Sequence, residues 1–150
     1  MFDIASEVRA AEERIRPFVR RTPLEPSPAL SEATGKSCWV KLENLQHTGS
    51  FKLRGAVNKL LTLPGPELDR GVLAASTGNH GAAVAWAARE IGAVATIYVP
   101  EIASPTKVEA IRRLGAEIVF RGQDGIDAEL AARTESEASG RTYVSPYNDP

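Results

Sequence analysis

Gly71-Val72-Leu73-Ala74-Ala75-Ser76-Thr77-Gly78-Asn79-His80-Gly81 runs from a short apolar stretch through a loop of hydroxyls and glycines. It continues into the alanine-rich segment Ala82-Ala83-Val84-Ala85-Trp86-Ala87-Ala88. A short apolar run bounded by turn residues reads as a buried strand, and residues 80 to 91 have the length of a helix. The small side chains let that helix lie close to a sheet. The same unit then recurs. Ala93-Val94-Ala95-Thr96-Ile97-Tyr98-Val99, Ala116-Glu117-Ile118-Val119-Phe120 and Thr142-Tyr143-Val144 are further apolar runs. Helix-length segments at 105 to 114 and about 125 to 138 separate them. Gly71, Gly92, Gly115 and Gly140 precede the runs, and the last three suit the position just past a helix end. Ser104-Pro105 opens one helix as cap and first residue. Strands alternating with helices of this size predict an α/β fold, a parallel sheet of βαβ units with helices on both faces.

The loop Ser76-Thr77-Gly78-Asn79-His80-Gly81 follows the first of these strands and opens the alanine-rich helix. In a parallel sheet, ligands bind at the carboxyl ends of strands, where a helix N-terminus offers free N–H groups to an anion. Two hydroxyls, two glycines and an asparagine that both donates and accepts suit such a site. The same residues also suit a capped strand-to-helix turn without a ligand, and locally both readings stand. His80 fits a capping or structural role, and no carboxylate or cysteine stands at metal-ligand spacing from it, so no metal is expected. Ser76, Gly78 and Gly81 also occupy the three glycine positions of a dinucleotide fingerprint, with Glu101 twenty residues further on. A Rossmann-like nucleotide-binding module is therefore the alternative. It is weakened by serine in the position that makes the tight turn.

Upstream, Thr48-Gly49-Ser50-Phe51-Lys52-Leu53-Arg54-Gly55 joins a strand-like run, residues 37 to 42, to a helix-like run from Phe51 to Leu63. Lys52 thus falls at a strand-to-helix junction. The positive end of the helix dipole disfavours a cation there and favours the neutral amine that a Schiff-base nucleophile needs. A solvated helix lysine is the plain alternative. Nearer the N-terminus, Ile4, Val8, Ala11 and Ile15 recur at helical spacing until Pro17 stops the pattern. Arg21-Thr22-Pro23-Leu24 reads as extended, and Ser27-Pro28 to Gly35 as a short helix. Gly35-Lys36-Ser37 is not a phosphate-binding P-loop, because Leu30 stands where that motif needs a glycine. Pro64-Gly65-Pro66 breaks the chain before the βαβ series.

Composition narrows the function classes. Hydrophobic content of 43% and charged content of 25% are ordinary for a folded protein of 150 residues, enough for one domain or part of a larger one. Net charge is −1 with both signs interleaved, so no footprint for nucleic acid or an anionic membrane is expected. No apolar run is long enough to span a bilayer, and the first residues lack the basic and apolar regions of a secretory signal. With Cys38 as the single cysteine, a cytoplasmic location is expected.

Lys41-Leu42-Glu43-Asn44-Leu45-Gln46-His47-Thr48-Gly49-Ser50-Phe51-Lys52-Leu53-Arg54-Gly55-Ala56, followed by the loop from Ser76 to Gly81, resembles the pyridoxal-phosphate (PLP) enzymes of fold type II. Within them the chain is most similar to the threonine/serine ammonia-lyases (dehydratases) and serine racemase. The resemblance runs from Arg21-Thr22-Pro23-Leu24 to Tyr143-Val144-Ser145-Pro146-Tyr147-Asn148-Asp149-Pro150. It implies the tryptophan synthase β-like fold. Residues 1–52 would be an N-terminal segment of the larger domain and 53–150 the small α/β domain, the second half with its glycine-rich phosphate loop being absent. It further implies that Lys52 carries the cofactor, that Phe51 packs against its ring, and that Asn79 hydrogen-bonds the ring hydroxyl. Ser76, Thr77, Gly78, Asn79 and His80 would hold the carboxylate of a small amino-acid substrate. The implied reaction is β-elimination from L-threonine, L-serine or a related 3-hydroxy amino acid, giving a 2-oxo acid and ammonia. Lys52 would take the α-proton. Thr77 stands where the racemases carry a serine, and its β-methyl restricts the rotamer, which favours elimination over racemisation. The complete enzyme is expected to be a homodimer, and the 150-residue chain to bind cofactor weakly and turn over little.

Overall fold

The computed structural model describes residues 3–147. Four parallel strands form the central sheet: β3 (Val72–Ala75), β4 (Ala95–Val99), β5 (Glu117–Phe120) and β6 (Thr142–Tyr143), in the order β5-β4-β3-β6. Three helices connect them: α5 (Asn79–Ile91), α6 (Pro105–Arg112) and α7 (Gly125–Ser139). The strands read as continuous apolar runs because both faces are covered. Val72 and Ala74 of β3, with Ala95, Ile97 and Val99 of β4, enter one cluster with α5 and α6. Leu73 and Tyr98 point the other way and pack with Ala128 and Ala132 of α7. The expected α/β architecture is therefore present, with helices on both faces.

Helix α3 (Lys52–Thr62) lies against α5, burying Leu53, Ala56, Val57 and Leu60 in the cluster that holds Ala83, Val84 and Ala87. Complete burial of Leu53 and Leu60 contributes about 1.5–3 kcal/mol each. Gly92 and Gly140 end α5 and α7 in the left-handed region, at φ 83° and 68°. Gly115 also has positive φ, 98°, but stands two residues beyond the Arg113 cap of α6. Pro64-Gly65-Pro66 ends α3 and simultaneously starts a short helix, α4 (Gly65–Asp69), which the sequence reading does not anticipate. Proline in a first helical turn loses no hydrogen bond, so a breaker and a starter look alike.

Before α3, the chain forms α1 (Ile4–Ile15), β1 (Leu24–Pro26), α2 (Pro28–Thr34) and β2 (Trp39–Lys41). Strands β1 and β2 pair antiparallel, with Glu25 opposite Val40, as a sheet separate from the parallel one. Ser27 caps α2 and Gly35 closes it at φ 65°. The apolar stripe of α1 is only partly used: Ile15 is buried, whereas Ile4 and Val8 stay exposed. Among the described residues, no helix is long and apolar enough to cross a membrane.

Candidate active site

The topology fixes where a ligand can sit. From β3 the chain steps outward through α5, β4, α6 and β5; α7 then returns across the opposite face and places β6 on the other side of β3. Helix α5 leaves β3 over one face of the sheet and α7 reaches β6 over the other, which opens a crevice beyond the carboxyl ends of these two strands. A cleft of about 700 Å³ lies there, and its walls include Lys52, Ser76, Thr77, Asn79, Asp124 and Pro146. A smaller one of about 350 Å³, with Phe51 and Asn58 in its wall, shares Lys52, His80, Pro146 and Tyr147 with it. Lys52 stands where the two clefts meet.

Lys52 is the first residue of α3, with Phe51 as an N-cap that makes no side-chain capping bond. Its Nζ donates to the Pro146 carbonyl at 2.8 Å and lies 5.5 Å from the Phe51 ring centroid and 5.6 Å from that of Tyr147. Both rings are open to solvent. Three anchors hold the segment that leads to Lys52. Glu43, in a 3-10 turn, accepts from Arg54 Nε at 2.9 Å and Nη2 at 2.8 Å, and from the Thr22 hydroxyl. The Arg54 hydrogen bonds, helped by Thr22, hold the Glu43 carboxyl below its ordinary range against the opposing effect of burial. The buried Gln46 amide accepts from Arg20 N–H at 2.8 Å and donates to Arg20 O at 3.0 Å. The His47 ring stacks on Trp86 of α5 at 4.8 Å between centroids. Arg54 is two residues past Lys52, so the Glu43 pair grips the turn that presents the lysine.

The loop after β3 brings its hydroxyls to the same cleft. Ser76 and Thr77 are half-buried, whereas Gly78 and Asn79 are exposed. Ser76 Oγ accepts from Gly78 N–H at 3.1 Å, and no side chain caps α5. The two glycines play different parts. A Cβ on Gly78 would meet only Ser76 Oγ, at 4.0 Å, so its backbone is open to a ligand. A Cβ on Gly81 would stand 2.3 Å from the Ser76 carbonyl oxygen, so Gly81 serves the packing of helix on strand. His80 is buried, and its Nε2–H donates to Val144 O at 2.9 Å, tying α5 to the segment after β6. Its side chain is thus engaged in structure, and only its backbone is on offer to a ligand.

Several wall residues gave no signal in the sequence. Asp124, Gly125, Ile126 and Glu129 come from the start of α7, and Pro146 and Tyr147 from the segment after β6. Their place depends on β6 lying beside β3, which no local pattern states. The Asp124 carboxylate accepts from Ile126 N–H at 2.8 Å and Asp127 N–H at 2.9 Å, so the Arg121–Gly125 loop serves its own helix. Glu101, the acid of the dinucleotide reading, is exposed, is absent from the cleft wall, and donates its backbone N–H to Gly122 O at 2.9 Å. Among the described residues, no three His, Cys, Asp or Glu side chains cluster closely enough to hold a metal ion.

Residues 15–150 match the family model described as pyridoxal-phosphate dependent enzyme. The L-threonine ammonia-lyase of Thermotoga maritima is 44% identical over 144 residues, covering 96% of this chain and 36% of that protein. Among solved structures, maize serine racemase superposes with a TM-score of 0.86 at 35% identity, over 96% of this chain and 44% of that one. The processed form of threonine deaminase isoform 2 from Solanum lycopersicum gives 0.85 at 35% identity, over 99% of this chain and 45% of that one. The chain therefore spans less than half the length of these relatives.

Proposed function

The chain belongs to the family of pyridoxal-phosphate dependent enzymes, and on that premise we propose that it carries the lysine-bearing part of an ammonia-lyase acting on L-threonine, L-serine or a related 3-hydroxy amino acid. One observation carries the reading: Lys52 and the Ser76–Asn79 loop come from distant parts of the chain and share the cleft at the switch point of the sheet. The residues present suit a flat aromatic cofactor, since the exposed Phe51 ring adjoins the Lys52 amine and the Gly78 backbone leaves room. When bound, the cofactor supplies an electron sink for the charge that develops at the substrate α-carbon.

In this assignment Lys52 would supply the amine that holds the cofactor and, once its amine is free, would accept the α-proton of the substrate. Phe51 would pack against the cofactor ring, and Asn79 would hydrogen-bond its hydroxyl. Backbone N–H groups and hydroxyls from Ser76 to His80 hold the substrate carboxylate at the uncapped start of α5, where an anion is favoured. The β-hydroxyl would leave as water with a proton equivalent to the one taken from the α-carbon, and a second water would release the nitrogen as ammonia to give the 2-oxo acid. Residues 1–52 belong to the larger domain and 53–150 form the small one. The phosphate-binding loop lies in the remainder of a cytoplasmic homodimer.

The test is a visible spectrum with excess pyridoxal phosphate, then borohydride reduction and peptide mapping. Label on Lys52, lost in Lys52→Ala, is the expected result; label on Lys41 or Lys59 instead, or on no lysine, overturns the reading. Racemisation is the second reading, favoured by the likeness to maize serine racemase. Chiral analysis of products from L-serine separates the two: 2-oxo acid for elimination, D-serine for racemisation. Thr77→Ser is expected to shift the ratio toward D-serine, because the smaller side chain frees its hydroxyl rotamer.

A further inference from the structure

A second concave site lies away from the Lys52 cleft, between the C-terminal end of α1, β2 and α3. It is a hollow of about 500 Å³ walled by Arg16, Arg20, Arg21, Lys41 and Arg54, with Glu12 as the carboxylate in the same wall. Two of the cations are neutralised, Arg16 by Glu12 and Arg54 by Glu43. The other three, Arg20, Arg21 and Lys41, make no ion pair among the described residues. Arg20 Nη1 donates to Leu45 O at 3.1 Å, and Lys41 Nζ donates to Thr22 O. Those carbonyls orient the two charges without cancelling them. Among the described residues, the Arg21 side chain has neither a hydrogen bond nor an ion pair. In a chain of net charge −1, five cations around one hollow, three of them outside any ion pair, are a strong local concentration of charge. Hydrogen bonding from Arg16 lowers the Glu12 carboxyl pKa most, and the charges of Arg54 and Arg21 lower it further.

We propose that this hollow binds a small ligand bearing a phosphate or pyrophosphate group, held by Arg20, Arg21 and Lys41. Arginine forks match phosphate oxygens in pairs, and lysine adds a compact charge. The volume is that of a small-molecule site, and Val19 gives it an apolar wall on which the rest of such a ligand can rest. An acidic polypeptide would need an extended track of charge, whereas these three converge on one concavity. The site is independent of the chemistry assigned to Lys52. Arg54 connects the two regions, since it borders the hollow and holds the turn that presents the lysine.

The experiment is calorimetric titration of the 150-residue chain with inorganic pyrophosphate and, separately, glycerol phosphate, at ionic strength held constant with chloride. Saturable binding of either is expected, and the tighter arm identifies the source of the phosphate group. Arg21→Ala should weaken it about tenfold, and Arg113→Ala, at the exposed cap that ends α6, should leave it unchanged. Since the exposed Arg21 side chain makes no hydrogen bond or ion pair among the described residues, its removal does not endanger folding, and circular dichroism of the variant verifies this. Three results overturn the proposal: no saturable heat, equal affinity in Arg21→Ala and wild type, or tight binding of an oligoglutamate peptide with none of either phosphate.

Discussion

Helices α5 and α7 both direct their first turns at the cleft that holds Lys52, but they begin in opposite ways. Helix α5 starts from Gly78 with no side-chain cap. Helix α7 starts from Asp124, whose carboxylate takes the N–H groups of Ile126 and Asp127. Ordinary helix starts resemble the second, because uncapped N–H groups cost stability. The uncapped start adjoins the hydroxyls of Ser76 and Thr77, and the capped one presents a carboxylate. The contrast divides the cleft into a side suited to an anion and a side that repels one.

The largest expected effect comes from breaking the α5 start. Gly81→Ala drives a Cβ to 2.3 Å from the Ser76 carbonyl oxygen, a clash that only a backbone shift can relieve. A loss of about 3 kcal/mol is expected in urea unfolding. Gly78→Ala, three residues earlier, should cost no more than about 1 kcal/mol, because the added methyl meets no wall. Equal costs at the two positions would refute the division of labour between them. The α7 start is next. Asp124→Ala should lower stability by about 1.5 kcal/mol through loss of the cap, while Asp124→Asn keeps most of it. If both variants unfold alike, the cap is not what organises this rim.

The same contrast shows how far the sequence could be read. Gly81 and Gly78 look equivalent in Ser76-Thr77-Gly78-Asn79-His80-Gly81, and both were expected to let a ligand approach. Only the distance from Gly81 to the carbonyl at the end of β3 separates a packing glycine from an open one. The parallel sheet was readable because each run in β3, β4 and β5 is apolar on both faces, which only helices on both sides explain. Strand order was not: β6 beside β3 is set by the return of α7, and that return brings Pro146 and Asp124 to the cleft. Glu43, Gln46 and His47 stood in the quoted motif without assigned roles. Their partners Arg54, Arg20 and Trp86 lie 11, 26 and 39 residues away along the chain, beyond local pattern.

Helix α3 offers a third kind of start, uncapped like α5 but held from outside by the segment before it. Glu43→Gln weakens the pair with Arg54 and should cost about 1 kcal/mol at neutral pH. Its carboxyl has a lowered pKa in the folded state, so this stability is present above the ordinary glutamate range and disappears as pH falls through the folded value. Wild type and variant should therefore converge in acid, and a pH-independent difference would mean that charge is not the source.

The smallest effect belongs to the His47–Trp86 stack, which ties the lysine segment to α5. Desolvation against the neighbouring ring lowers the His47 pKa most, and the charge of Arg20 lowers it further, with Glu90 opposing. A histidine whose folded pKa is depressed favours folding in its neutral form. Its contribution is present above the unfolded value of about 6.5 and is lost as pH falls through the folded one. His47→Ala should cost about 0.5 kcal/mol at pH 8, the value of an exposed stack, and less at pH 5, where the unfolded chain takes up a proton that the folded ring resists. Thermal melts at the two pH values measure this, and a penalty that grows on acidification would show that the ring acts as a cation rather than as a neutral stacking partner.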